Sequence, residues 1–355
     1  MKKKLIKFST IVACSLSMVA LLSTTSCRKN KGNGDNPSES SSQVPVEAYT
    51  YTDNTKSAIY YGSYPQSKVS DSSLLDTLNT AAGDLPTSDN KQKWTSYGYY
   101  SGSTVSDLMF YIDLDQDNDG AYDYRGVYIA NYRPYNTMYG PQSSNVKNNG
   151  YSTNSVYWFK YEPVKWNILD TENGKAFIVS DLLIDSQDYN HTSSSRAGST
   201  DYQNNSTTDN VSPNNYMYSS IREWLNVTFY NTAFNQLQKD IIDLTRVDNS
   251  GTTPVIESNN YACENTSDNL FLLSIYEAQT YYSSNSARIA KGTDYAKCQG
   301  LWTSNENGCY MLRTPESSNE KLSMQITEEG YIASNTNKWV IETTTGVRPA
   351  CWIKL

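Results

Sequence analysis

Apolar residues in this chain occur in short segments. In some segments they alternate with polar residues, as in a strand, and in others they have the spacing of one helix face. Residues 59–65 predict a strand that ends in a turn. Residues 71–82 predict a short helix, because three leucines share one face, Ser70 or Asp71 can cap its start, and Gly83 follows. No internal repeat of about 20–50 residues is evident.

Two pairs of apolar segments predict antiparallel hairpins. Residues 108–114 and 122–132 flank an acidic turn, and both have the composition of strands. Residues 156–169 and 176–184 flank a second turn that contains Asn173-Gly174, a strong hairpin signal. The sequence therefore predicts a sheet that is largely antiparallel.

Helical segments are scattered among these strands. Residues 220–223 and 274–277 both have the spacing of a capping box, and each precedes apolar residues. Residues 232–242 place Phe234, Leu237 and Ile241 at helical spacing. The pattern as a whole predicts an α+β fold, in which short helices surround an irregular antiparallel sheet.

The N-terminal segment predicts export. Its first seven residues contain four lysines, and residues 8–22 are mostly apolar and carry no charge. That stretch of about 15 residues is shorter than the ~20 that span a membrane, so a signal peptide over residues 1–27 is favoured over a transmembrane helix. Residues 21–27 resemble the cleavage site of a bacterial lipoprotein, with Thr24 where a leucine-like residue is usual. Cys27 is the expected lipidation site, and ordinary secretion is the alternative.

A polar segment follows the predicted signal. Residues 28–43 contain charged and polar side chains, glycine and proline, with no large apolar residue. Such a composition predicts a flexible tether, which we assign to residues 28–47. Residues 48–355 then form a single extracellular domain, held near a membrane through the lipid anchor.

Composition narrows the range of functions. The net charge of −8 argues against nucleic acid as a partner, because that ligand needs a basic surface. The chain has one histidine, His191, which argues against histidine-dependent triads and multi-histidine zinc sites. Its 30 tyrosines, against 7 tryptophans and 7 phenylalanines, are typical of extracellular binding surfaces, although compositional drift explains them equally well.

Four cysteines follow the predicted signal, and none forms a C-x-x-C motif. In an oxidising compartment this number predicts structural disulfides and allows three pairings. Buried free thiols are the alternative. The cysteines are Cys263, Cys298, Cys309 and Cys351.

The acidic turn is the sharpest chemical signal in the sequence. Its carboxylates match positions 1, 3, 5 and 9 of an EF-hand-type calcium loop, and a glycine stands at position 6. Gly126 stands at position 12, where a calcium loop has a bidentate glutamate, and the flanks are strands rather than helices. Calcium is therefore an expected cofactor and a solvated acidic turn the alternative. The candidate ligands are Asp115, Asp117, Asp119 and Asp123.

Other charged residues carry weaker signals. Arg313 and Arg348 lie among apolar residues, where an arginine usually pairs with a carboxylate or with backbone carbonyls. His191 lies in a polar segment and is expected at the surface. Three carboxylates are candidates for a pair that cleaves a glycosidic bond, namely Glu162, and Asp181 with Asp185.

Four sequence blocks resemble a bacterial domain of unknown function that occurs in exported lipoproteins. They are Y-G-S-Y-P-Q at 61–66, S-I-R-E-W-L-N at 220–226, N-L-F-L-L-S-I-Y-E-A at 269–278, and the L-R-T-P (312–315) … G-V-R-P-A (346–350) ending. The ending is similar to the closing strands of C-type-lectin-like domains of the formylglycine-generating-enzyme kind, which implies a C-type-lectin-like core. The reactive cysteine pair of those enzymes cannot be placed here, and E-P-V and W-N-I stand where sugar-binding lectins have E-P-N and W-N-D.

The resemblance also implies a disulfide pairing. In the resembling domains the position of Cys309 is usually a large aromatic residue and that of Cys351 is usually leucine. The analogy places both closing strands side by side, so a bond between these two cysteines is expected. Cys263 would then pair with Cys298.

These observations favour a lipid-anchored, cell-surface domain that binds a glycan or a protein without catalysis. One alternative is an enzyme, related to formylglycine-generating enzymes or a carboxylate-dependent hydrolase, and another is a structural surface protein. An open cleft lined by tyrosine and tryptophan would favour binding. Two carboxylates about 5–9 Å apart in a cleft would favour a hydrolase.

Overall fold

A computed structural model describes residues 50–51, 58–87, 89–101, 104–138, 144–194, 196–197, 202–203, 210–252, 258–333 and 339–355. The predicted signal peptide, Cys27 and the predicted tether lie outside these residues. The elements described below all belong to one compact unit, Gln43–Leu355.

The described residues contain 21 strands, most of them short. The strands are β1 (Thr50–Tyr51), β2 (Ala58–Lys68), β3 (Thr95–Ser96), β4 (Tyr99–Ser101), β5 (Thr104–Ser106), β6 (Met109–Leu114), β7 (Tyr124–Ile129), β8 (Ser155–Glu172), β9 (Lys175–Ser180), β10 (Asp185–Ser186), β11 (Arg196–Ala197), β12 (Asn210–Val211), β13 (Thr245–Val247), β14 (Thr266–Asp268), β15 (Thr303–Ser304), β16 (Asn307–Gly308), β17 (Tyr310–Pro315), β18 (Ser323–Ile326), β19 (Ile332–Ala333), β20 (Gly346–Val347) and β21 (Ala350–Lys354).

Helices are short and lie between the strands. A 3₁₀ turn, Tyr216–Tyr218, and a π-helical segment, Trp224–Phe229, flank α3. None of the helices in the described residues is long and apolar enough to cross a membrane. The α-helices are α1 (Ser72–Ala82), α2 (Asn145–Asn148), α3 (Ser220–Glu223), α4 (Tyr230–Ala233), α5 (Gln236–Ile241), α6 (Ile275–Tyr281), α7 (Asn285–Arg288) and α8 (Asp294–Cys298).

An eight-stranded antiparallel sheet forms the centre of the unit. Six of its strands have the order β1-β2-β8-β7-β6-β3. The other two are β9, which pairs with β8, and β21, which pairs with β9. The 18-residue strand β8 holds the sheet together, because β7, β2 and β9 pair with successive parts of it.

A second sheet of five strands has the order β10-β20-β17-β18-β19. Its one parallel pair joins β17 to β20, and the other neighbours are antiparallel. The C-terminal part of the chain thus contributes to both sheets, since β20 belongs to this one and β21 to the eight-stranded sheet.

Two apolar clusters fill the interior. The larger includes Trp166, whose indole N–H donates to the carbonyl of Tyr61 at 2.7 Å. The smaller lies beneath α1 and includes Trp158, whose indole N–H donates to the side chain of Asn79 at 2.8 Å. Each tryptophan therefore buries its ring and still satisfies its one donor.

The structure combines antiparallel sheets with a few short helices, which is consistent with an α+β or a mostly-β fold, and the main local elements predicted are present. Helix α1 begins after Asp71, whose carboxylate accepts from the N–H of Leu74, and ends at Gly83. The two predicted hairpins are β6–β7 and β8–β9, and Asn173 and Gly174 both have positive φ in the second turn. These elements were predictable because their signals are local in sequence.

Two helix predictions need correction. The cap of α3 is Ser219 rather than Ser220, since the Ser219 hydroxyl accepts from the N–H of Arg222. The segment 232–242 is not one helix, because Phe234 is extended and a separate capping box of Asn235 and Gln238 begins α5. The capping box of Ser274 with Glu277 is confirmed at the start of α6.

The structure does not contain the expected disulfides, although all four cysteines lie in its described part. Cys263, Cys298 and Cys351 are free thiols, and the Cys309 thiol donates to the carboxylate of Glu328 at 3.2 Å. The pairing assumed that the two closing strands are neighbours. In the structure β17 lies between β18 and β20, whereas β21 pairs with β9 in the other sheet. The assumption is wrong, and the pairing of Cys263 with Cys298 loses its basis with it.

Candidate functional site

A cleft of about 350 Å³ lies where several distant parts of the chain meet. Its lining comes from β2, from residues 96–100, from β6 and β7, from residues 185–191, from α3 with the π-helical segment, and from α8. Polar and aromatic side chains share this lining, as is usual for a small-molecule site.

Tyrosine rings form one wall of the cleft. Tyr97 stacks on Tyr99 with ring centroids 5.3 Å apart, and it also contacts Tyr111 at 4.8 Å. Tyr100 continues this wall and packs against His191. The wall therefore consists of tyrosine rings that pack on one another and on charged or polar side chains.

The guanidinium of Arg125 lies at the floor of the cleft. Its Nε and Nη2 donate to the two carboxylate oxygens of Asp113, both at 2.7 Å. Its Cζ lies 4.4 Å from the ring centroid of Tyr111, and three further tyrosine rings lie within 6 Å of it. The charge of Arg125 is thus balanced by one carboxylate and enclosed by aromatic rings.

Tyrosine hydroxyls connect the floor of the cleft by hydrogen bonds. The hydroxyl of Tyr295 lies 2.9 Å from that of Tyr97 and accepts from Nη1 of Arg125 at 3.2 Å. The hydroxyl of Tyr64 donates to Asp185 at 2.8 Å. Because these side chains are buried and bonded to one another, the floor is rigid as well as polar.

Asp185 is fully buried in this floor. Its carboxylate accepts from the hydroxyl of Tyr64, from the N–H of Ser186 and from the amide of Gln187. Burial raises the pKa of Asp185 from 3.8 to about 6, and these hydrogen bonds together with Arg133 limit the rise. Asp185 therefore changes charge close to neutral pH.

His191 lines the cleft and is held in position by two neighbours. Its Nδ1 lies 2.7 Å from Asp188, and its ring stacks on Tyr100 with centroids 3.9 Å apart. Burial opposes ionisation of Asp188, but His191 and Arg133 together hold the pKa of that carboxyl below its usual value. His191 is thus partly exposed, at about 30%, and the part of the surface that it occupies is the lining of the cleft.

The π-helical segment Trp224–Phe229 also contributes to the lining of the cleft. π-Helical turns are rare and occur often at functional sites, because the extra residue per turn shifts the side chains that follow. Here the segment places Trp224 and Thr228 on the lining, next to Glu223. Trp224 stacks on Phe229 at 5.4 Å, which fixes its ring.

The acidic turn lies apart from this cleft. It connects β6 to β7, and oxygen atoms of Asp115, Asp117 and Asp123 lie within 4.8 Å of one another. Backbone N–H groups of the turn donate to these carboxylates. Asp119 is not part of this group of three, and its carboxylate accepts from the N–H of Ala121. None of the predicted ligands lines the cleft.

The remaining sequence candidates have structural partners. Arg313 forms a buried ion pair with Glu277, and Arg348 donates to backbone carbonyls and to the hydroxyl of Tyr310. Glu162 accepts from Ser67, and Asp181 pairs with Lys165. Of the three carboxylates proposed for glycoside cleavage, Asp185 alone lines the cleft.

Sequence reasoning did not locate this cleft. Its clearest local signal is the segment Tyr97-Gly98-Tyr99-Tyr100, which is three-quarters tyrosine. The other lining residues are spread along the chain between Tyr64 and Tyr295, and no spacing in the sequence links them.

Comparison with known families identifies the class of this protein. Residues 173–355, just over half of the chain, match a domain of unknown function, DUF6273. The chain therefore belongs to the DUF6273 family. Comparison with curated proteins and with solved structures gives no match.

The titration of Asp185 predicts a specific pH dependence of stability. Its pKa is raised from 3.8 to about 6, so the unfolded state loses this proton at lower pH than the folded state. The free energy of unfolding then falls as pH rises from about 4 to about 6, by roughly 3 kcal/mol for this group. Asp185→Asn removes this term. Urea unfolding across this pH range measures the difference between the two proteins.

The control for this measurement is Asp181→Asn, which changes a half-exposed carboxylate of the same length. The difference in unfolding free energy between Asp181→Asn and the wild type should stay nearly constant over the same pH range. A constant difference for Asp185→Asn as well would show that Asp185 does not titrate near pH 6.

Calcium binding by the acidic turn stays a prediction with a direct test. An ion that binds the folded state alone, at about 100 times its dissociation constant, adds ~2.7 kcal/mol to stability. Thermal unfolding in millimolar calcium should occur at higher temperature than in chelator. The double variant Asp117→Asn, Asp123→Asn should abolish the difference, and Asp76→Asn on the exposed face of α1 should preserve it. Equal melting of the wild type in both buffers would rule out the site.

Proposed function

We propose that this chain binds a saccharide in the tyrosine-lined cleft. The observation that carries the proposal is the wall of Tyr97, Tyr99, Tyr100 and Tyr111 facing polar groups in one cavity of about 350 Å³. A pyranose ring has an apolar C–H face and a rim of hydroxyls. Tyrosine supplies a flat apolar surface, and neighbouring polar groups supply hydrogen bonds for the rim.

The partners of the polar groups favour binding over catalysis. Asp185 accepts three hydrogen bonds, and Asp188 is shared between His191 and Arg133. Among the described residues no hydroxyl or thiol is hydrogen-bonded to the imidazole of His191, as a nucleophile activated by that ring would be. These groups are arranged to hold a ligand.

A carboxylate-dependent hydrolase is the second candidate. The observation that favours it is the raised pKa of Asp185, about 6, since a general acid must carry a proton near neutral pH. Glu223 lines the same cleft and would be the second carboxylate. The first candidate stands ahead because Asp185 is fully enclosed by protein.

The proposal includes the cellular setting that the sequence indicates. We place the chain outside the cell, anchored through a lipid on Cys27 and separated from the membrane by residues 28–47. A tethered acidic domain would reach ligands near the cell surface. The proposal also includes a C-type-lectin-like core. If no ligand is found, we expect a purely structural surface protein instead.

Saccharide binding predicts a tyrosine-specific loss of affinity. Tyr100→Ala removes one ring face and the stacking partner of His191, so we expect about ten-fold weaker binding of any glycan that the wild type captures on an array. Titration calorimetry with that glycan measures the change. Tyr331→Ala, an exposed tyrosine outside the cleft, should bind like wild type.

Two results would contradict the proposal. Equal affinity of the Tyr100 and Tyr331 variants would show that the glycan binds elsewhere. Release of new reducing ends from the bound glycan, abolished by Asp185→Asn, would instead establish the hydrolase.

Anchoring predicts acylation at a single residue. Cells that express the full chain should incorporate a fatty-acid analogue into the wild type and not into Cys27→Ala. Cys263→Ala is the matched control and should label normally. Label that persists without Cys27, or no label in the wild type, would refute the anchor.

A further inference from the structure

We propose that the ligand of the cleft is an amino sugar, a saccharide that carries a protonated amine. This inference rests on the proposed saccharide binding and adds the charge of the ligand. It follows from the exposed carboxylate of Glu223, which lines the cleft without a cationic partner among the described residues, together with the aromatic side chains of the same lining.

Most charges in and around the cleft are balanced in pairs. Arg125 is paired with Asp113 through two hydrogen bonds. Asp188 is paired with Arg133, and it also holds His191. These contacts leave each arginine with a carboxylate of its own, so neither adds net positive charge to the cavity.

One carboxylate of the lining lacks such balance. Asp185 is buried, accepts three hydrogen bonds from protein groups and is stabilised by the charge of Arg133, so it is not available to a ligand. Glu223 is exposed and forms no ion pair with any residue that the structure describes. Glu223 therefore adds an unbalanced negative charge to the lining.

Glu223 is the group that can reach a ligand directly. It is the last residue of α3, immediately before the π-helical segment, and its side chain lines the cleft beside Trp224. A ligand ammonium placed there would gain an ion pair with Glu223. It would also face aromatic rings, which attract cations through their electron-rich faces.

The charge of the whole chain acts in the same direction. A net charge of −8 attracts a cationic ligand during the approach and repels an anionic one. A saccharide with carboxylates would lose hydration on entering the cleft without gaining a free cationic partner. A neutral saccharide would gain no electrostatic attraction from these charges and would lose no charge hydration on binding.

The test compares three oligosaccharides of equal length with the full-length protein. They are a glucosamine oligomer, its N-acetylated form and a galacturonate oligomer. Each is titrated by calorimetry at about pH 6, because the oxygen atoms near the amine of a glucosamine unit make it a weaker base than an alkyl amine. We expect the glucosamine oligomer to bind about five-fold more tightly than the N-acetylated one, and the galacturonate oligomer to bind least. The preference should decrease as salt is added.

The variant Glu223→Gln should remove this preference, because it should weaken the binding of the glucosamine oligomer about five-fold more than that of the N-acetylated one. Glu172→Gln, an exposed glutamate at the end of β8, is the matched control and should keep the preference. Equal affinity for the amine and acetyl forms, tighter binding of galacturonate, or a preference that survives Glu223→Gln would overturn the inference while saccharide binding stands. No binding of any of the three, or binding that Tyr100→Ala does not weaken, would count against the proposed function and therefore against this inference as well.

Discussion

The ion pair of Arg125 with Asp113 is the contact on which the cleft depends. It connects neighbouring strands β6 and β7, and the third nitrogen of the guanidinium reaches Tyr295 on α8. A buried charge is tolerated when it is paired and its donors are satisfied, and both conditions hold here. Because four tyrosine rings surround the same guanidinium, the pair fixes both the floor of the cleft and the aromatic groups around it.

The abundance of tyrosine has a structural explanation as well as a functional one. Tyr64, Tyr97 and Tyr295 bury their rings in the floor, and burial raises the pKa of each hydroxyl. These hydroxyls stay protonated and serve as donors, so one residue type fills volume and builds the polar network. Phenylalanine would fill the same space but would leave Asp185 and Arg125 without these partners.

Sequence patterns predicted the parts of this fold whose signals are local. The α1 helix with its Asp71 cap and the hairpin turn at Asn173-Gly174 depend on a few adjacent residues. The cleft depends on contacts between residues far apart, such as Arg125 with Tyr295, and no periodicity encodes those contacts. The predicted pairing of Cys309 with Cys351 was wrong for the same reason. To predict it correctly, one would have to know to which sheet each of the two strands belongs. For His191, the sequence indicated Asp188 as a neighbour, but it could not indicate the stacking of the ring on Tyr100.

The two sides of the cleft differ in how the backbone builds them, and this difference bears on what binds. The tyrosine wall and the floor rest on strands and on buried hydrogen bonds, so their geometry is fixed before a ligand arrives. Another part of the lining is formed by the end of α3 and the π-helical segment that follows, where the side chains of Glu223 and Thr228 are exposed. Rigid aromatic groups recognise the shape of a ligand, and an exposed carboxylate in the same cleft recognises charge. The cleft thus separates the two tasks, and variation along the π-helical segment can change the charge preference without disturbing the core that holds the aromatic wall.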